Sequence, residues 1–180
     1  MEYVASDGNP GGFIRAGGNR IMGFINRTAD FTGDYLSKGY NGVSLDMVVL
    51  MQQLPAYKPY LVFRYSPSYN GWKYVIDDFT VNTAGTWQHF DIPLDPSWTD
   101  AEAAANGWAP VDSYMLKPFG ETMSHVESFS LLSDYPSNVG KVLGLDNVRL
   151  NGTTTVPEPM TTVLFALGLV GMGMNIRNRK

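Results

Sequence analysis

The chain of 180 residues contains no cysteine, which excludes a disulfide scaffold and any metal site ligated by cysteine. Charged residues are scarce, at 17% of the sequence, and the 13 basic residues are fewer than the 17 acidic ones. A nucleic-acid-binding protein needs a basic footprint, so this charge balance argues against such a partner. The 19 glycines and 10 tyrosines, combined with so few charges, are typical of an extracellular β-rich domain.

Recognisable catalytic patterns are also missing. The two histidines, His89 and His125, stand at no metal-ligand or triad spacing, and we expect them to be surface or hydrogen-bonded residues. Glycoside hydrolysis needs two carboxylates about 5–10 Å apart. Asp77 and Asp78 are neighbours in a predicted strand and would point to opposite faces. We therefore predict no catalytic residue and no enzymatic activity, and a glycoside-active hydrolase is only the third candidate function.

The C-terminal residues form a separate unit in the sequence. Residues 160–176 contain no charged side chain, and 17 helical residues would rise about 26 Å, close to the ~30 Å hydrocarbon core of a bilayer. Three basic residues follow at once: Arg177, Arg179 and Lys180. We predict four segments: a β-sandwich domain over residues 1–152, a linker and Pro-Glu-Pro motif over 153–159, an apolar transmembrane-type helix over 160–176 and a basic stop over 177–180.

The motif before the apolar segment consists of Pro157, Glu158 and Pro159. The motif, the apolar segment and the basic stop, in this order over residues 156–180, resemble the PEP-CTERM sorting signal of Gram-negative bacteria. The resemblance implies an exosortase-type membrane protease as a partner that cuts near the motif. It also implies export, with the protein in the inner membrane before processing and at the cell surface or in the extracellular matrix afterwards. A permanent membrane anchor is the alternative.

The N-terminus does not match export through a signal peptide. Residues 1–20 have neither a basic start nor an apolar run of the usual 7–15 residues. We therefore expect the chain to be a fragment or to start at a misplaced codon, which would also explain a missing first strand. Leaving out the three basic residues and the one acidic residue of the tail, the exported part has 10 basic and 16 acidic residues, a net charge of −6.

The body of the chain alternates short predicted strands with turn sequences. Residues 13–15 and 21–25 predict a hairpin, because glycines lie between them. Residues 100–107 are rich in alanine and predict a short helix, and Asp112 would start a second one. This pattern predicts a mainly β protein, an antiparallel, jelly-roll-like β-sandwich with one or two short helices. Further strands are predicted over residues 43–50, 60–65, 73–81, 87–94, 128–133 and 143–150.

Several short runs of this body resemble laminin B (domain IV) modules. They are GNPGGFI at residues 8–14, FTGDY at 31–35, LDM at 45–47 and GLDNVRL at 144–150. The resemblance spans residues 8–150. It implies a fold similar to that of carbohydrate-binding jelly-rolls, and a protein without enzymatic activity.

Asp146 lies in the middle of a predicted strand, among residues that favour burial, so its carboxylate needs a partner. Jelly-rolls that this chain resembles often carry a structural calcium where the first and last strands meet. The resemblance implies Asp7, Asn9 and Asp146 as its oxygen ligands. The alternative is that Asp146 accepts backbone N–H bonds from a neighbouring loop.

Aromatic residues are concentrated between residues 57 and 74, and they offer the one hint of a ligand. Tyr69 and Trp72 flank the Asn70-Gly71 turn, which predicts an exposed pair suited to stacking on a sugar ring. The alternative is that these rings pack in the core or pair across a hairpin. The sequence thus predicts an exported, surface- or matrix-associated, non-catalytic β-sandwich. A carbohydrate-binding module acting on exopolysaccharide is the alternative function.

Overall fold

The computed structural model describes residues 2–18, 22–52, 58–65, 70–79, 85–111, 117–133 and 141–152. Within them the chain forms ten β-strands, one short 3₁₀ turn and two short α-helices. The strands are β1 (Glu2–Gly8), β2 (Gly11–Gly18), β3 (Met22–Asn26), β4 (Tyr40–Gln52), β5 (Tyr60–Arg64), β6 (Gly71–Val75), β7 (Gln88–Pro93), β8 (Trp108–Pro110), β9 (Ser128–Ser133) and β10 (Lys141–Gly152). The 3₁₀ turn is Ala29–Phe31, and the helices are α1 (Asp100–Ala105) and α2 (Phe119–Ser124).

The strands form two five-stranded sheets in which every pairing is antiparallel. Sheet A has the strand order β1-β2-β10-β4-β7, and sheet B has the order β3-β9-β5-β6-β8. Residues of both sheets contribute to a single buried hydrophobic cluster. The predicted antiparallel β-sandwich with few helices is therefore confirmed.

One face of each sheet builds the core, because side chains alternate along a strand. On β4, Val43, Leu45 and Met47 point inward and are fully buried. From β5, Leu61 and Phe63 are fully buried in the same cluster. Burying one such side chain contributes about 1.5–3 kcal/mol. The inner faces therefore hold the sandwich together, and the outer faces are left for other roles.

Aromatic rings fill the centre of this core. The ring of Phe63 lies 5.2 Å from that of Tyr35, 5.4 Å from that of Trp108 and 5.6 Å from that of Phe129, measured between centroids. The hydroxyl of Tyr35 donates to the carbonyl of Phe31 at 2.8 Å, so the polar end of this buried ring has a partner. Burial raises the pKa of Tyr35 far above its usual value.

Helix α1 begins with a capping box. The side chain of Thr99 accepts the backbone N–H of Glu102, and the carboxylate of Glu102 accepts the backbone N–H of Thr99. The backbone N–H of Thr99 also lowers the pKa of Glu102. The helix ends before Gly107, whose φ of 89° favours glycine. The helix predicted over residues 100–107 is therefore confirmed.

Helix α2 is not predicted by the sequence pattern. Asp112, the predicted start of a second helix, lies outside the described residues, and α2 begins at Phe119, directly after Pro118. The two helices are linked, since the Oδ1 of Asp100 accepts the backbone N–H of Phe119 at 2.7 Å. This bond satisfies one of the N–H groups that the start of a helix leaves without a partner.

The hairpin predicted between residues 13–15 and 21–25 is wrong. Strand β2 pairs with β1 and β10 in sheet A, whereas β3 pairs with β9 in sheet B. The glycine-rich connection therefore leads from one sheet to the other. Strand β1 is also absent from the predicted set, because most of its residues are exposed and it shows no hydrophobic alternation.

The strand predicted over residues 73–81 ends early. Strand β6 stops at Val75, and Asp77 and Asp78 follow in a turn where both are exposed. The turn is fixed by Ile76, whose backbone N–H donates to the carbonyl of Pro59 at 2.9 Å. The two aspartates are therefore turn residues and do not belong to opposite faces of a strand.

The predicted C-terminal helix over residues 160–176 lies outside the described residues, as do the Pro-Glu-Pro motif and the basic stop. Within the part of the chain that is described, no helix is long and apolar enough to cross a membrane. The last described strand, β10, ends at Gly152.

Candidate functional site

The outer face of sheet A carries a row of three polar side chains on neighbouring strands. Asp146 of β10 is the register partner of Asp46 on β4, and Asp46 is the register partner of His89 on β7. Two carboxylates directly across a sheet repel each other unless donors or opposite charges stabilise them. We call these three residues, together with Asn9 and Asn147 that contact them, the carboxylate cluster.

Asp146 holds the turn between β1 and β2 against β10. Its Oδ2 accepts the backbone N–H of Asn9 at 2.7 Å, and its Oδ1 accepts the backbone N–H of Asn147 at 2.8 Å. Gly8 permits this approach, because a Cβ at that position would stand 2.8 Å from the Oδ2 of Asp146. This is the predicted alternative, in which Asp146 accepts backbone N–H bonds from a neighbouring loop.

Asp46 is the buried centre of the cluster, with 4% of its surface exposed. Its Oδ1 accepts a hydrogen bond from the Nδ1 of His89 at 2.5 Å. Its Oδ2 accepts from the Nδ2 of Asn147 at 2.6 Å and from the Nδ2 of Asn9 at 3.4 Å. The hydrogen bond with Asp46 raises the pKa of His89 above its usual value, and the charges of Asp46 and Asp91 add to this effect.

Sequence reasoning missed Asp46. It lies within the apolar run of residues 43–50, which predicts a strand and nothing more. The available signal was a carboxylate between Leu45 and Met47, both of which point into the core. Such a carboxylate requires a partner, but the sequence does not say that His89 on another strand supplies it.

A calcium ion at this place, as the jelly-roll resemblance implies, would need several oxygen ligands directed at one point. Instead, N–H donors contact the carboxylate oxygens of both Asp46 and Asp146. Asp7, the remaining predicted carboxylate ligand, accepts a hydrogen bond from the Oγ of Ser6 at 3.1 Å. The described residues bring together no group of three His, Asp or Glu side chains that could hold a metal ion. They fit a hydrogen-bonded cluster and do not fit a calcium site.

Apolar side chains close the outer face of sheet A beside the cluster. The rings of Phe13 and Trp87 meet edge to face, with centroids 5.3 Å apart. The Nε1 of Trp87 donates to the carbonyl of Asp7 at 3.1 Å, which ties the segment before β7 to the end of β1. Gly144 leaves room for the ring, since a Cβ there would stand 2.9 Å from atoms of Phe13.

The predicted pair of exposed aromatic residues does not match the structure. Tyr69 lies outside the described residues. Trp72 is 2% exposed, its Nε1 donates to the carbonyl of Lys117 at 3.0 Å, and its ring packs edge to face on Phe119 at 5.2 Å. The exposure predicted for Trp72 is wrong, because its register partner is Phe63 and both residues point into the core.

The outer face of sheet B contains side chains that are buried although they do not point into the core. Val62 stands between the core residues Leu61 and Phe63, so it points outward, yet it has no exposed surface. Ser128 and Ser130 of β9 also point outward and are 3% and 1% exposed. Outward side chains can be buried only where other parts of the protein rise around them. This face is therefore partly enclosed: neighbouring parts of the protein cover these three side chains, and the half-buried residues beside them keep the surface that a ligand could reach.

Cationic and aromatic side chains stand on the same partly enclosed face. The Nζ of Lys73 lies 5.9 Å from the centre of the Tyr60 ring, within range of a cation–π interaction. Arg64 is the register partner of Ser128. Arg64 is half-buried, and Ser128 is buried. The five described strands of sheet B contain no acidic residue. We define the sheet B groove by the outward residues that keep exposed surface: Tyr60, Arg64 and Lys73.

A separate apolar cleft of ≈ 410 Å³ opens between the two sheets near β2 and β3. Aromatic and aliphatic side chains dominate its walls, and the polar side chains of Asn26, Asp146 and Asn147 border it. An apolar lining with a few polar groups is the usual composition of a small-molecule site, so this cleft is a second candidate site. The larger lining side chains are Tyr3, Phe13, Ile14, Phe24, Ile25, Phe31, Phe129, Leu145 and Val148.

Solved structures with a similar fold include carbohydrate-binding modules. Two structures of a family 11 carbohydrate-binding module from Clostridium thermocellum, one of them in complex with a β-1,3-1,4-mixed-linked tetrasaccharide, are 14% identical to this chain, with TM-scores of 0.53 and 0.52. The similarity covers 84% of this chain and 81–82% of the modules. An exo-β-agarase is 15% identical, with a TM-score of 0.53, over 84% of this chain but only 22% of the agarase.

The L4b domain of human laminin α-2 also has some similarity, with 8% identity and a TM-score of 0.44 over 73% of this chain and 70% of that domain. That score is too low to decide the fold. No family model matches the chain, and no curated protein matches its sequence. At such low identities, the similarity to the carbohydrate-binding modules establishes the β-sandwich fold alone.

Proposed function

We propose that this chain is an exported, non-catalytic β-sandwich protein that binds polysaccharide through the sheet B groove. The observation that carries this proposal is the outer face of sheet B, where the half-buried side chains of Tyr60 and Lys73 stand together outside the core. A ring beside a polar group is an arrangement that can both stack on a sugar and orient it.

The fold supports the same proposal. Modules that cover most of this chain are named for carbohydrate binding, and one of them was solved with a tetrasaccharide. Sugar recognition needs aromatic faces for stacking and hydrogen-bonding groups for the hydroxyls. Tyr60 and Lys73 are of these two kinds, and both lie outside the core on one sheet face with part of their surface exposed.

The C-terminal tail supports export and surface association. The Pro-Glu-Pro motif, the apolar residues 160–176 and the basic residues after them have the order of a PEP-CTERM-type signal. In this proposal the tail inserts into the inner membrane and an exosortase-type protease removes it. The sandwich would then remain at the cell surface or in the matrix, where exopolysaccharide is the available ligand.

Polysaccharide binding is tested by affinity electrophoresis of the full chain, in mild detergent, through gels that contain neutral or acidic polysaccharides. We expect retardation of the wild type and weaker retardation of Tyr60→Ala. Tyr3→Ala is the matched control, because it removes an exposed tyrosine from β1 of the opposite sheet. If the wild type migrates normally in every gel, the proposed function is wrong. If Tyr3→Ala loses binding as strongly as Tyr60→Ala, the site is not the sheet B groove.

Sorting is tested separately, by mass spectrometry of the mature C-terminus in a host that has an exosortase-type protease. We expect the mature protein to end near Pro159 and to lack Lys180. Glu158→Ala should abolish or slow the cleavage. Retention of Lys180 on every wild-type molecule would contradict processing and would leave a permanent anchor.

A further inference from the structure

The inner face of sheet A is not covered along its whole width. Leu145, Ile14 and Tyr3 are register partners across β10, β2 and β1, and they share the inner side of the sheet, where Leu145 joins the core. Their exposed fractions rise from 5% for Leu145 to 39% for Ile14 and 68% for Tyr3. Among the described residues, β1 contributes no side chain to the core cluster. Sheet A therefore extends beyond sheet B, and the apolar cleft lies where its inner face opens.

The phenol of Tyr3 forms one wall of this cleft. Gly12 of β2 permits its position, because a Cβ at Gly12 would stand 2.2 Å from the Oη of Tyr3. The phenol therefore lies against the backbone of β2 and keeps most of its surface exposed. Phe24 of β3 and Phe31 of the 3₁₀ turn line the cleft from the other side. A flat ring placed in the cleft would thus meet aromatic surface on both sides, which is a favourable arrangement.

The polar groups at the border restrict the charge of a ligand. Asp146 brings a carboxylate to this border, and the described lining contains no Lys, Arg or His. An anion would meet this carboxylate without a compensating cation, so it is disfavoured. The side chains of Asp146 and Asn147 already take part in the carboxylate cluster. The amide of Asn26, whose Oδ1 accepts the backbone N–H of Thr28 at 2.8 Å, offers its nitrogen as a donor to a hydroxyl.

We propose that this cleft binds small, uncharged aromatic compounds that carry a hydroxyl or a similar polar substituent. Its volume of ≈ 410 Å³ lies within the range of about 300–1,000 Å³ that is usual for small-molecule sites. A protein partner would instead need a broad surface of about 800 Å², and a concave cleft favours the smaller ligand. The site is separate from the sheet B groove and does not depend on polysaccharide binding.

The experiment is equilibrium dialysis of the full chain against two probes that share one ring system. Naphthalenemethanol is uncharged, and naphthoate carries a carboxylate in place of the alcohol group. Mild detergent at the same concentration on both sides of the membrane cancels the partitioning of the probes into micelles. We expect the wild type to bind naphthalenemethanol, and to bind naphthoate about fivefold more weakly because of the nearby carboxylate.

Variants of Tyr3 test the position of the site. Tyr3→Ala should weaken the binding of naphthalenemethanol about fivefold, because it removes the stacking surface, and Tyr3→Phe should restore most of the affinity. Leu36→Ala is the matched control, since it removes an exposed apolar side chain, 59% exposed, that does not line the cleft. We expect its affinity to equal that of the wild type. A circular-dichroism melt of each variant checks that a loss of binding does not arise from unfolding.

The proposal is overturned if the wild type binds neither probe, if it binds naphthoate as tightly as the alcohol, or if Leu36→Ala loses as much affinity as Tyr3→Ala. Two other occupants of the cleft would also overturn it. Binding that falls as the protein concentration rises would show that a second copy covers the cleft. Binding only in the double variant Leu164→Asp, Leu167→Asp would show that the apolar tail of the chain occupies it.

The polysaccharide gels give an independent result. Tyr3→Ala should keep its retardation there while it loses naphthalenemethanol here, so a failure of this inference and a failure of the proposed function are distinguishable.

Discussion

The outer faces of sheet A and sheet B both bury polar side chains, but with different partners. On sheet A, the carboxylates of Asp46 and Asp146 accept hydrogen bonds from His89, Asn147 and the Asn9 backbone. Donors from three separate parts of the chain therefore converge there. On sheet B, the Nζ of Lys73 lies over the ring of Tyr60, and the described strands of that sheet contain no carboxylate.

This difference shows how a buried polar residue can be interpreted. A polar side chain whose hydrogen-bonding capacity is used within the protein stabilises the fold, and removing its partner costs free energy. A set of polar side chains around an enclosed face can instead serve a ligand. Sheet A is therefore the structural face of this sandwich, and sheet B is the face to test for binding. Four predictions examine this contrast.

The largest effect is expected in the core that lies between the two faces. Trp72→Ala should lower the free energy of unfolding by about 3–5 kcal/mol, because it removes a buried ring and leaves a cavity beside Phe119. Urea denaturation measures the change. In Tyr3→Ala, where the residue is 68% exposed, the free energy should change by about 0.5 kcal/mol or less. A loss below about 1 kcal/mol for Trp72→Ala would mean that the ring is not a core residue.

The next effect belongs to the carboxylate cluster. Asp46→Ala should lower the free energy of unfolding by about 1–3 kcal/mol, since the donors of Asn147 and His89 lose the buried acceptor that they share. The same urea titration applies. Asp91→Ala, on the exposed part of β7, serves as the control and should have little effect. Equal stabilities of the two variants would remove the structural role assigned to sheet A.

A smaller effect is expected from pH. The raised pKa of His89 means that its ion pair with Asp46 stabilises the fold fully below the unfolded pKa of about 6.5. This contribution is lost as the pH rises through the higher pKa of the folded state. His89 is 57% exposed, so solvent screens the pair and the contribution stays below about 1 kcal/mol.

Melting temperatures measured between pH 6 and pH 9 check this prediction. The wild type should become slightly less stable over this interval, and His89→Gln should flatten the curve. A wild-type stability that rises over the same interval would contradict the assigned direction.

The smallest effect is expected from calcium. Because N–H donors already contact the carboxylates of the cluster, EDTA and added calcium should leave the melting temperature of the wild type unchanged. Asn147→Asp replaces an amide donor by a third carboxylate, so this variant should be less stable and should be the one that calcium stabilises. A fall in the wild-type melting temperature with EDTA would instead restore the predicted calcium site at Asp146.

The sequence predicted the fold well where hydrophobic alternation was clear. The alternating residues of β4, β5 and β9 predicted strands of a sandwich, and the alanine-rich segment before Gly107 predicted helix α1. The sequence did not predict β1, because most residues of this strand are exposed and it is held in the sheet by its pairing with β2. It also failed for the hairpin at residues 13–25, because local glycines do not reveal which sheet receives the next strand.

The candidate sites were harder to predict because they depend on register. Asn9 and Asp146 were predicted together as calcium ligands, and in the structure the backbone N–H of Asn9 donates to the carboxylate of Asp146. Asp46 was missed, since only strand register shows that it faces Asp146. Trp72 was assigned to a turn surface, but a shift of one residue along a strand decides between the core and the outside. The sheet B groove combines residues of two strands that no sequence motif links.

The bond between Asn9 and Asp146 joins residues 137 positions apart, which has a consequence for the order in which the molecule assembles. A chain that crosses a membrane with its N-terminus first exposes the β1–β2 hairpin long before β10 emerges. The hairpin can dock only when the last strand has arrived, because β2 also pairs with β10. Such distant pairings slow folding and leave strand edges exposed to other chains in the meantime. If the protein is exported as proposed, its N-terminal half is therefore the part that most needs a chaperone during the crossing.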